Sequence, residues 1–248
     1  MGNLKKILDK EVNTRNSIDE LSIDKPDPLM IAKQYNDEYI ALICALFAYG
    51  NAKQIVKFIS NLDFSLLDKS EDEVKQKLQD KYYRFQNADD VIAIFIALNR
   101  LKKSHSLEDI FYDGYKINHN PIDGIREIIK AIQDIYKYQS DGYKFLIGKL
   151  PTDKLTISPY KRYNMFLRWV VRDDNLDMGL WSKVDKKDLI LPLDTHTFKV
   201  SQKLGLLDRK SYDLKSAVMI TEELKKFDEN DPIKYDFALY RIGQEGII

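Results

Sequence analysis

Apolar residues recur along most of the chain with the three-to-four-residue spacing of amphipathic helices. In the stretch DEYIALICALFAY, residues 37–49, they share one helix face, and Gly50 with Asn51 forms a stop signal. The stretch AKQIVKFISNL follows directly and has the same periodicity. The pattern therefore predicts a helix–turn–helix hairpin over residues 37–62.

Polar cap signals mark the starts of further helices. Ser70 is followed three residues later by Glu73, which is the spacing of a capping box. Asn87 precedes a run to residue 103 that is apolar on most faces, so this helix is expected to pass through the core. Two more helices are predicted over residues 106–115 and 121–139.

Three segments of the second half combine helical spacing with reactive side chains. SPYKRYNMFLRWVVR, residues 158–172, opens with Ser and Pro, which favour the cap and the first helical position. LPLDTHTFKVSQKLGL, residues 191–206, predicts a short helix. DPIKYDFALYRIG, residues 231–243, predicts a helix capped by Asp231 that ends at Gly243. Without a repeat or a credible strand pairing, the predicted fold class is all-α.

The chain of 248 residues is long enough for one large or two small domains. We predict a single helical domain over residues 1–248. Its finer organisation is expected to be two lobes, about 28–150 and 151–248, with the N-terminal helix joining the second. The first 25 residues are expected to add a polar helix.

Composition is that of a soluble globular protein, with 44% hydrophobic and 31% charged residues. The single cysteine, Cys44, excludes an internal disulfide, a Cys-rich zinc site and a four-cysteine iron–sulfur cluster. The N-terminal residues lack the apolar run of a signal peptide, and the apolar run at residues 91–98 is too short to cross a bilayer. A cytoplasmic protein without membrane contact is expected.

The 39 basic and 39 acidic residues give a formal net charge of zero, so the overall charge carries no signal for nucleic acid. The charge is nevertheless uneven, because residues 154–172 contain five basic residues and no acidic one. Of these, Arg162, Arg168 and Arg172 are expected to be phosphate contacts or surface ion pairs. A neutral protein can still present one basic face.

Several kinds of site are excluded. His105, His119 and His196 are far apart and form no metal-binding motif. The sequence has no phosphate-binding glycine loop and no G-x-S-x-G elbow. Lysine and carboxylate chemistry remains, and neither a metal nor an organic cofactor is expected.

One short stretch, LPLDTHTFKV, carries a family resemblance. Its residues Leu193, Asp194, Thr195 and His196 match the aliphatic–Asp–Thr–His stretch of the helix-hairpin-helix DNA glycosylase superfamily. IALICALFAYGNAKQI and KYDFALYRIG are similar to that superfamily's early helix pair and closing helix. The chain also resembles an uncharacterised bacterial family of similar length.

The sequence departs from the superfamily at the hairpin. The corresponding stretch, LTISPYKRYNMF, has no glycine, and Lys161 and Asp194 lie 33 positions apart. This long spacing resembles the archaeal 8-oxoguanine glycosylase branch. The resemblance therefore implies a two-lobed glycosylase-like fold with a degenerate hairpin.

The resemblance also implies roles for the reactive residues. Lys161 is the expected nucleophile, and a lysine attacks C1′ of a nucleotide only as the free amine, which a helix N-terminus favours. Asp194 is the expected carboxylate that stabilises positive charge on the sugar. Met165, Asp236 and Tyr240 are the expected pocket for an extruded base.

Further residues are expected to contact DNA. Tyr49 and Asn51 would fill the gap left by the extruded base, while Arg84 and Gln86 would contact bases or a strand. Arg162 is a candidate phosphate contact. His196 is expected to contact a phosphate or to support Asp194.

Each of these side chains also has a purely structural interpretation. Asp194 and Asn51 stand at helix ends, Lys161 is one of many lysines, and Asp236 has basic neighbours at Lys234 and Arg241. Met165 and Tyr240 have the spacing of core residues.

The predicted function is base-excision repair of 8-oxoguanine in duplex DNA by a monomeric glycosylase with lyase activity. The alternatives are a water-using glycosylase for another lesion, a damaged-DNA-binding module without activity, and a protein-binding helical domain.

Overall fold

The computed structural model describes residues 2–246 and confirms the all-α fold class. Strand-like pairing in this range is limited to two isolated bridges, Tyr83–Gln86 and Asp173–Met178. The α-helices are, in chain order, α1 (Gly2–Arg15), α2 (Leu29–Tyr35), α3 (Glu38–Leu46), α4 (Ala52–Ile59), α5 (Glu71–Leu78), α6 (Ala88–Lys102), α7 (Leu107–Asn118), α8 (Pro121–Ile135), α9 (Asp141–Ile147), α10 (Lys161–Val171), α11 (Thr195–Lys203), α12 (Leu214–Lys225) and α13 (Asp236–Glu245).

The predicted cap signals start helices where the sequence places them. Ser70 and Glu73 form the predicted capping box at the start of α5, and Asn87 forms another with Asp90 at the start of α6. The predicted hairpin over residues 37–62 consists of α3 and α4. Local hydrogen bonding of short polar side chains thus determines these boundaries.

Helix α10 begins at Lys161 and not at Pro159, the residue after the predicted cap Ser158. Tyr160 has a left-handed backbone conformation with φ 48°, which does not continue a right-handed helix. The Asn164 side-chain amide donates a hydrogen bond to the Pro159 carbonyl at 2.9 Å. Ser158 and Pro159 therefore belong to the loop before the helix, and Lys161 is the first residue of α10.

The prediction for the last helix was wrong at both ends. Asp231 accepts no capping hydrogen bond and pairs with Arg172 at 2.8 Å, while a 3₁₀ turn precedes α13. Gly243 lies inside α13 because the helix packs there against α11. A Cβ atom on Gly243 would lie 2.9 Å from Val200 Cγ2 and 3.1 Å from His196 Cβ, so the glycine permits the close approach.

Buried apolar residues form one cluster that includes residues from Leu8 to Ile242. Helix α6 passes through it as predicted, with Ile94, Phe95 and Leu98 fully buried. Helix α10 packs against α3, and α13 packs against both α11 and α1. The division into two lobes stays a prediction. None of the helices in residues 2–246 is both long and apolar enough to span a bilayer.

Candidate functional site

A cavity of about 750 Å³ lies between α10, α11, α13, the α3–α4 turn and the segment before α2. Its lining includes eight of the eleven site residues predicted from the sequence: Tyr49, Asn51, Lys161, Met165, Asp194, His196, Asp236 and Tyr240. Three predicted residues, Arg84, Gln86 and Arg162, do not line it. Helix packing therefore assembles the predicted lysine, carboxylates and pocket residues around one space.

Asp194 caps helix α11 and also lines the cavity. Its Oδ1 accepts hydrogen bonds from the backbone N–H groups of His196 at 2.9 Å and Thr197 at 2.8 Å. Its Oδ2 forms no hydrogen bond or ion pair with any residue in 2–246. The structural and chemical interpretations of Asp194 are therefore compatible, because each uses a different oxygen.

Lys161 provides the amine of the site from the first turn of α10. Its side chain is partly buried and lines the cavity together with Asp194 and Asp236. Within the described chain, the Lys161 Nζ atom has neither a hydrogen bond nor a carboxylate within 4.0 Å. This lysine is thus held at the cavity without being engaged by a structural ion pair.

Asp236 is a buried carboxyl group whose main partner is Arg168. Arg168 Nη1 donates a hydrogen bond to Asp236 Oδ2 at 2.6 Å. Burial raises the pKa of Asp236 to about 6, although the positive charge of Arg168 opposes this effect. The negative charge of Asp194 also raises the pKa of Asp236, and the positive charge of Lys161 lowers it. Asp236 can therefore accept or release a proton near neutral pH.

The structural alternative for Asp236, a surface pair with one of its basic neighbours in the sequence, does not occur. Lys234 pairs with Asp228 at 2.5 Å, and Arg241 pairs with Glu20 at 3.2 Å. Asp236 is only 5% exposed, so neither basic neighbour in the sequence approaches it from solvent.

The raised pKa of Asp236 predicts an unusual pH dependence of stability. The folded protein binds a proton at this site up to about pH 6, whereas an unfolded aspartate releases it near pH 4. Between these values the folded state holds more protons, so the contribution of Asp236 to stability falls as pH rises. We expect wild type to lose stability relative to Asp236→Asn from about pH 4 to about pH 6, measured by urea unfolding at a series of pH values.

Asp213 provides the matched control for this measurement. The hydrogen bond from Arg209 lowers the pKa of Asp213. Wild type should therefore gain stability relative to Asp213→Asn as pH rises through the acidic range, opposite in sign to Asp236. The same sign for both variants would contradict the assignment of a protonated Asp236.

Met165 and Tyr240 line the same cavity as these charged groups. Met165 is 8% exposed, and Tyr240 lies four residues after Asp236 on the same face of α13. Burial raises the pKa of Tyr240 to about 12, with a further contribution from the negative charge of Asp27. The exposed His196 ring lies edge-on to the Tyr240 ring, with 6.4 Å between centroids.

The α3–α4 turn forms another part of the cavity wall. Asn51 is the cap of α4, since its Oδ1 accepts from the Lys53 N–H at 3.0 Å. Gly50, just before it, has φ 102°, a conformation that favours glycine. The Tyr49 hydroxyl donates a hydrogen bond to the side-chain carbonyl of Gln86.

Gln86 and Arg162 have structural partners outside the cavity. Gln86 is 1% exposed and its Nε2 donates to the Gly142 carbonyl at 3.0 Å. Arg162 donates to the Leu46 carbonyl at 2.5 Å and to the Phe145 carbonyl at 2.6 Å, and burial lowers its pKa. These two residues join the α3–α4 turn to α9 and α10. Arg84 is exposed.

A buried ionic network that includes the cavity-lining residue Arg168 was not predicted from the sequence. Arg168 and Arg172, expected at the surface, are 4% and 7% exposed and share Asp177 as a partner. Arg168 connects this network to Asp236. One feature of the sequence indicates that Arg168 faces the cavity. Lys161, Met165 and Arg168 have the spacing of residues on one helix face, so all three lie on the same side of α10.

Asp27 and Tyr212 also line the cavity and were not predicted. The Tyr212 hydroxyl donates to the Leu193 carbonyl at 2.6 Å, which fixes the backbone just before Asp194. No local motif distinguishes either residue in the sequence. Among residues 2–246, no three His, Cys, Asp or Glu side chains are grouped as metal ligands would be.

Comparison with curated proteins found no significant match. Comparison with solved structures found none either. The part of the cavity wall from Asp27 to Glu245 lies within residues 27–245. This range matches the family described as Protein of unknown function (DUF2400), and the chain belongs to that family.

Proposed function

We propose that the protein is a DNA repair glycosylase that removes 8-oxoguanine from duplex DNA and uses Lys161 as a Schiff-base nucleophile. The observation that carries this proposal is the convergence of Lys161, Asp194 and Asp236 on one open cavity, with the amine free of structural partners. We also propose that the protein is related to the helix-hairpin-helix glycosylases, that it is monomeric and that it acts in the cytoplasm.

The proposed reaction begins when the Lys161 ammonium loses a proton and its amine attacks C1′ of the damaged nucleotide. The C1′–N9 bond breaks, its electron pair leaves with the base, and the base takes up a proton. The C1′–O4′ bond then breaks with its electron pair on O4′, and the nitrogen passes a second proton to O4′. This opens the sugar ring and leaves a protonated Schiff base between Lys161 and C1′. The unpaired Oδ2 of Asp194 is available to stabilise positive charge that develops on the sugar.

The other cavity residues support recognition of an oxidised purine. 8-Oxoguanine carries an N7–H donor that guanine lacks, and a carboxylate such as Asp236 accepts hydrogen bonds from ring N–H groups. Tyr240 and Met165 provide ring and thioether surfaces that suit stacking against a base. Arg168 positions Asp236 through the 2.6 Å hydrogen bond.

The direct test is incubation with duplexes that carry 8-oxoguanine or an abasic site, followed by borohydride reduction. Release of the damaged base together with a covalent protein–DNA adduct would support the proposal. Base release without an adduct would replace it with a water-using glycosylase. Binding without release from any lesion would leave a damaged-DNA-binding module.

Asp194→Asn separates the capping role of Asp194 from its chemical role. Asparagine caps a helix about as well as aspartate, so we expect stability to change by less than about 1 kcal/mol. Base release should fall about 10²-fold or more, because the negative charge beside the sugar is lost. Unfolding curves and single-turnover rates check both expectations. Full activity in this variant would mean that Asp194 is a helix cap alone.

A further inference from the structure

An exposed pair of aromatic side chains lies beside the cavity and takes no part in the chemistry proposed above. Phe85 is 53% exposed and Phe145 is 44% exposed, and their ring centroids are 4.6 Å apart. Tyr49, which lines the cavity, lies 5.7 Å from Phe85 and 5.0 Å from Phe145 between ring centroids. This Phe85–Phe145 surface is therefore continuous with the cavity wall.

Backbone and side-chain hydrogen bonds fix the turn that carries Phe85. Tyr83 and Gln86 exchange two backbone hydrogen bonds, at 3.0 and 2.9 Å, which close a tight turn around Arg84 and Phe85. The buried Gln86 side chain anchors this turn to the Gly142 carbonyl at 3.0 Å. Two exposed phenylalanines on an anchored turn and a helix form a preorganised apolar contact area.

Two unpaired cations accompany the rings. Arg84 lies 5.9 Å above the Tyr49 ring, and its guanidinium occupies the space beside Gly50, where a Cβ atom would lie 2.5 Å from Nη1. Lys144 precedes Phe145 and is exposed. Neither cation forms an ion pair with a residue in the described range. Aromatic faces next to uncompensated positive charge are what proteins use to hold unpaired nucleotides.

We propose that the Phe85–Phe145 surface stacks an unpaired nucleobase of the DNA whose damaged nucleotide occupies the cavity. Arg84 and Lys144 neutralise the phosphates on either side of that base. The inference rests on the proposed function, because extruding one nucleotide deprives the opposite base of its partner. The continuity through Tyr49 places the stacking surface next to the point of extrusion.

Photocrosslinking of the full chain tests this contact. Duplexes with 8-oxoguanine would carry a single 5-iododeoxyuridine, placed opposite the lesion or one position to either side. Irradiation joins iodouracil to an aromatic ring stacked on it, and mass spectrometry identifies the residue. We expect the crosslink on Phe85 or Phe145.

Binding of the same duplexes without iodouracil provides the second readout. Phe85→Ala and Phe145→Ala should each raise the dissociation constant about tenfold, as loss of one stacked base does. Phe85→Tyr, which keeps a ring, should bind as wild type does. Ile117→Ala is the matched control, because Ile117 is an exposed apolar residue that does not line the cavity.

The outcomes separate this inference from the proposed function. Release of 8-oxoguanine with crosslinks elsewhere and unchanged affinity in both alanine variants overturns the inference alone. A crosslink on Phe85 or Phe145 with no base release from any lesion supports the surface and overturns the proposed function. If an alanine variant unfolds, the residue that is crosslinked in wild type still tests the inference. Failure of wild type to bind DNA overturns both.

Discussion

Lys161→Gln is expected to abolish the borohydride-trapped adduct and to reduce release of 8-oxoguanine by at least about 10³-fold. Glutamine keeps most of the length of the side chain but has no amine to attack C1′. Because the Lys161 side chain makes no ion pair or hydrogen bond in the described chain, its replacement removes no structural contact of that kind. The variant should therefore keep the unfolding free energy of wild type to within about 0.5 kcal/mol. Single-turnover assays and urea unfolding measure the two quantities.

Lys53→Gln is the matched control for this prediction. Lys53 also lines the cavity, from the exposed start of α4, and no carboxylate pairs with it in residues 2–246. A general loss of positive charge at the cavity would weaken both variants alike, whereas a specific nucleophile is lost only in Lys161→Gln. An adduct that persists in Lys161→Gln and disappears in Lys53→Gln would assign the nucleophile to α4.

The sequence was most informative where structure depends on neighbouring residues. Ser70, Asn87 and Asp194 each cap a helix through hydrogen bonds that span two or three residues, so their roles are visible in a short window. The shared helix face of Asp236 and Tyr240 is also visible in a short window, because the two residues are four positions apart. These local rules place single residues at helix ends and on helix faces, whereas the grouping of Lys161, Asp194 and Asp236 into one site was predicted from the family resemblance.

Prediction from sequence failed where distant segments meet. Gly243 has the local character of a helix stop, yet its position depends on how closely α11 approaches α13. Arg168 has the local character of a surface cation, yet it is buried between Asp177 and Asp236. The partners of Arg168 are nine and sixty-eight positions away, and no pattern within α10 identifies them.

The burial of this network makes Arg168 a structural residue as well as a positioning residue for Asp236. Arg168→Met should lower the free energy of unfolding by about 3–5 kcal/mol near pH 8, because it leaves Asp236 buried without its cation. The loss should be smaller near pH 5, where Asp236 takes up a proton and its charge disappears. Urea unfolding at the two pH values measures the difference.

Two further variants distinguish an uncompensated charge from lost packing. In Arg168→Met/Asp236→Asn the buried charge of Asp236 is absent while Asp177 keeps Arg172, so part of the lost stability should return at pH 8. Lys5→Met breaks a partly exposed i,i+4 pair with Asp9 and should change stability by less than about 1 kcal/mol. If the double variant were as unstable as Arg168→Met at both pH values, the loss would come from the packing of the arginine side chain. In that case Arg168 would stabilise α10 without acting through the charge of Asp236.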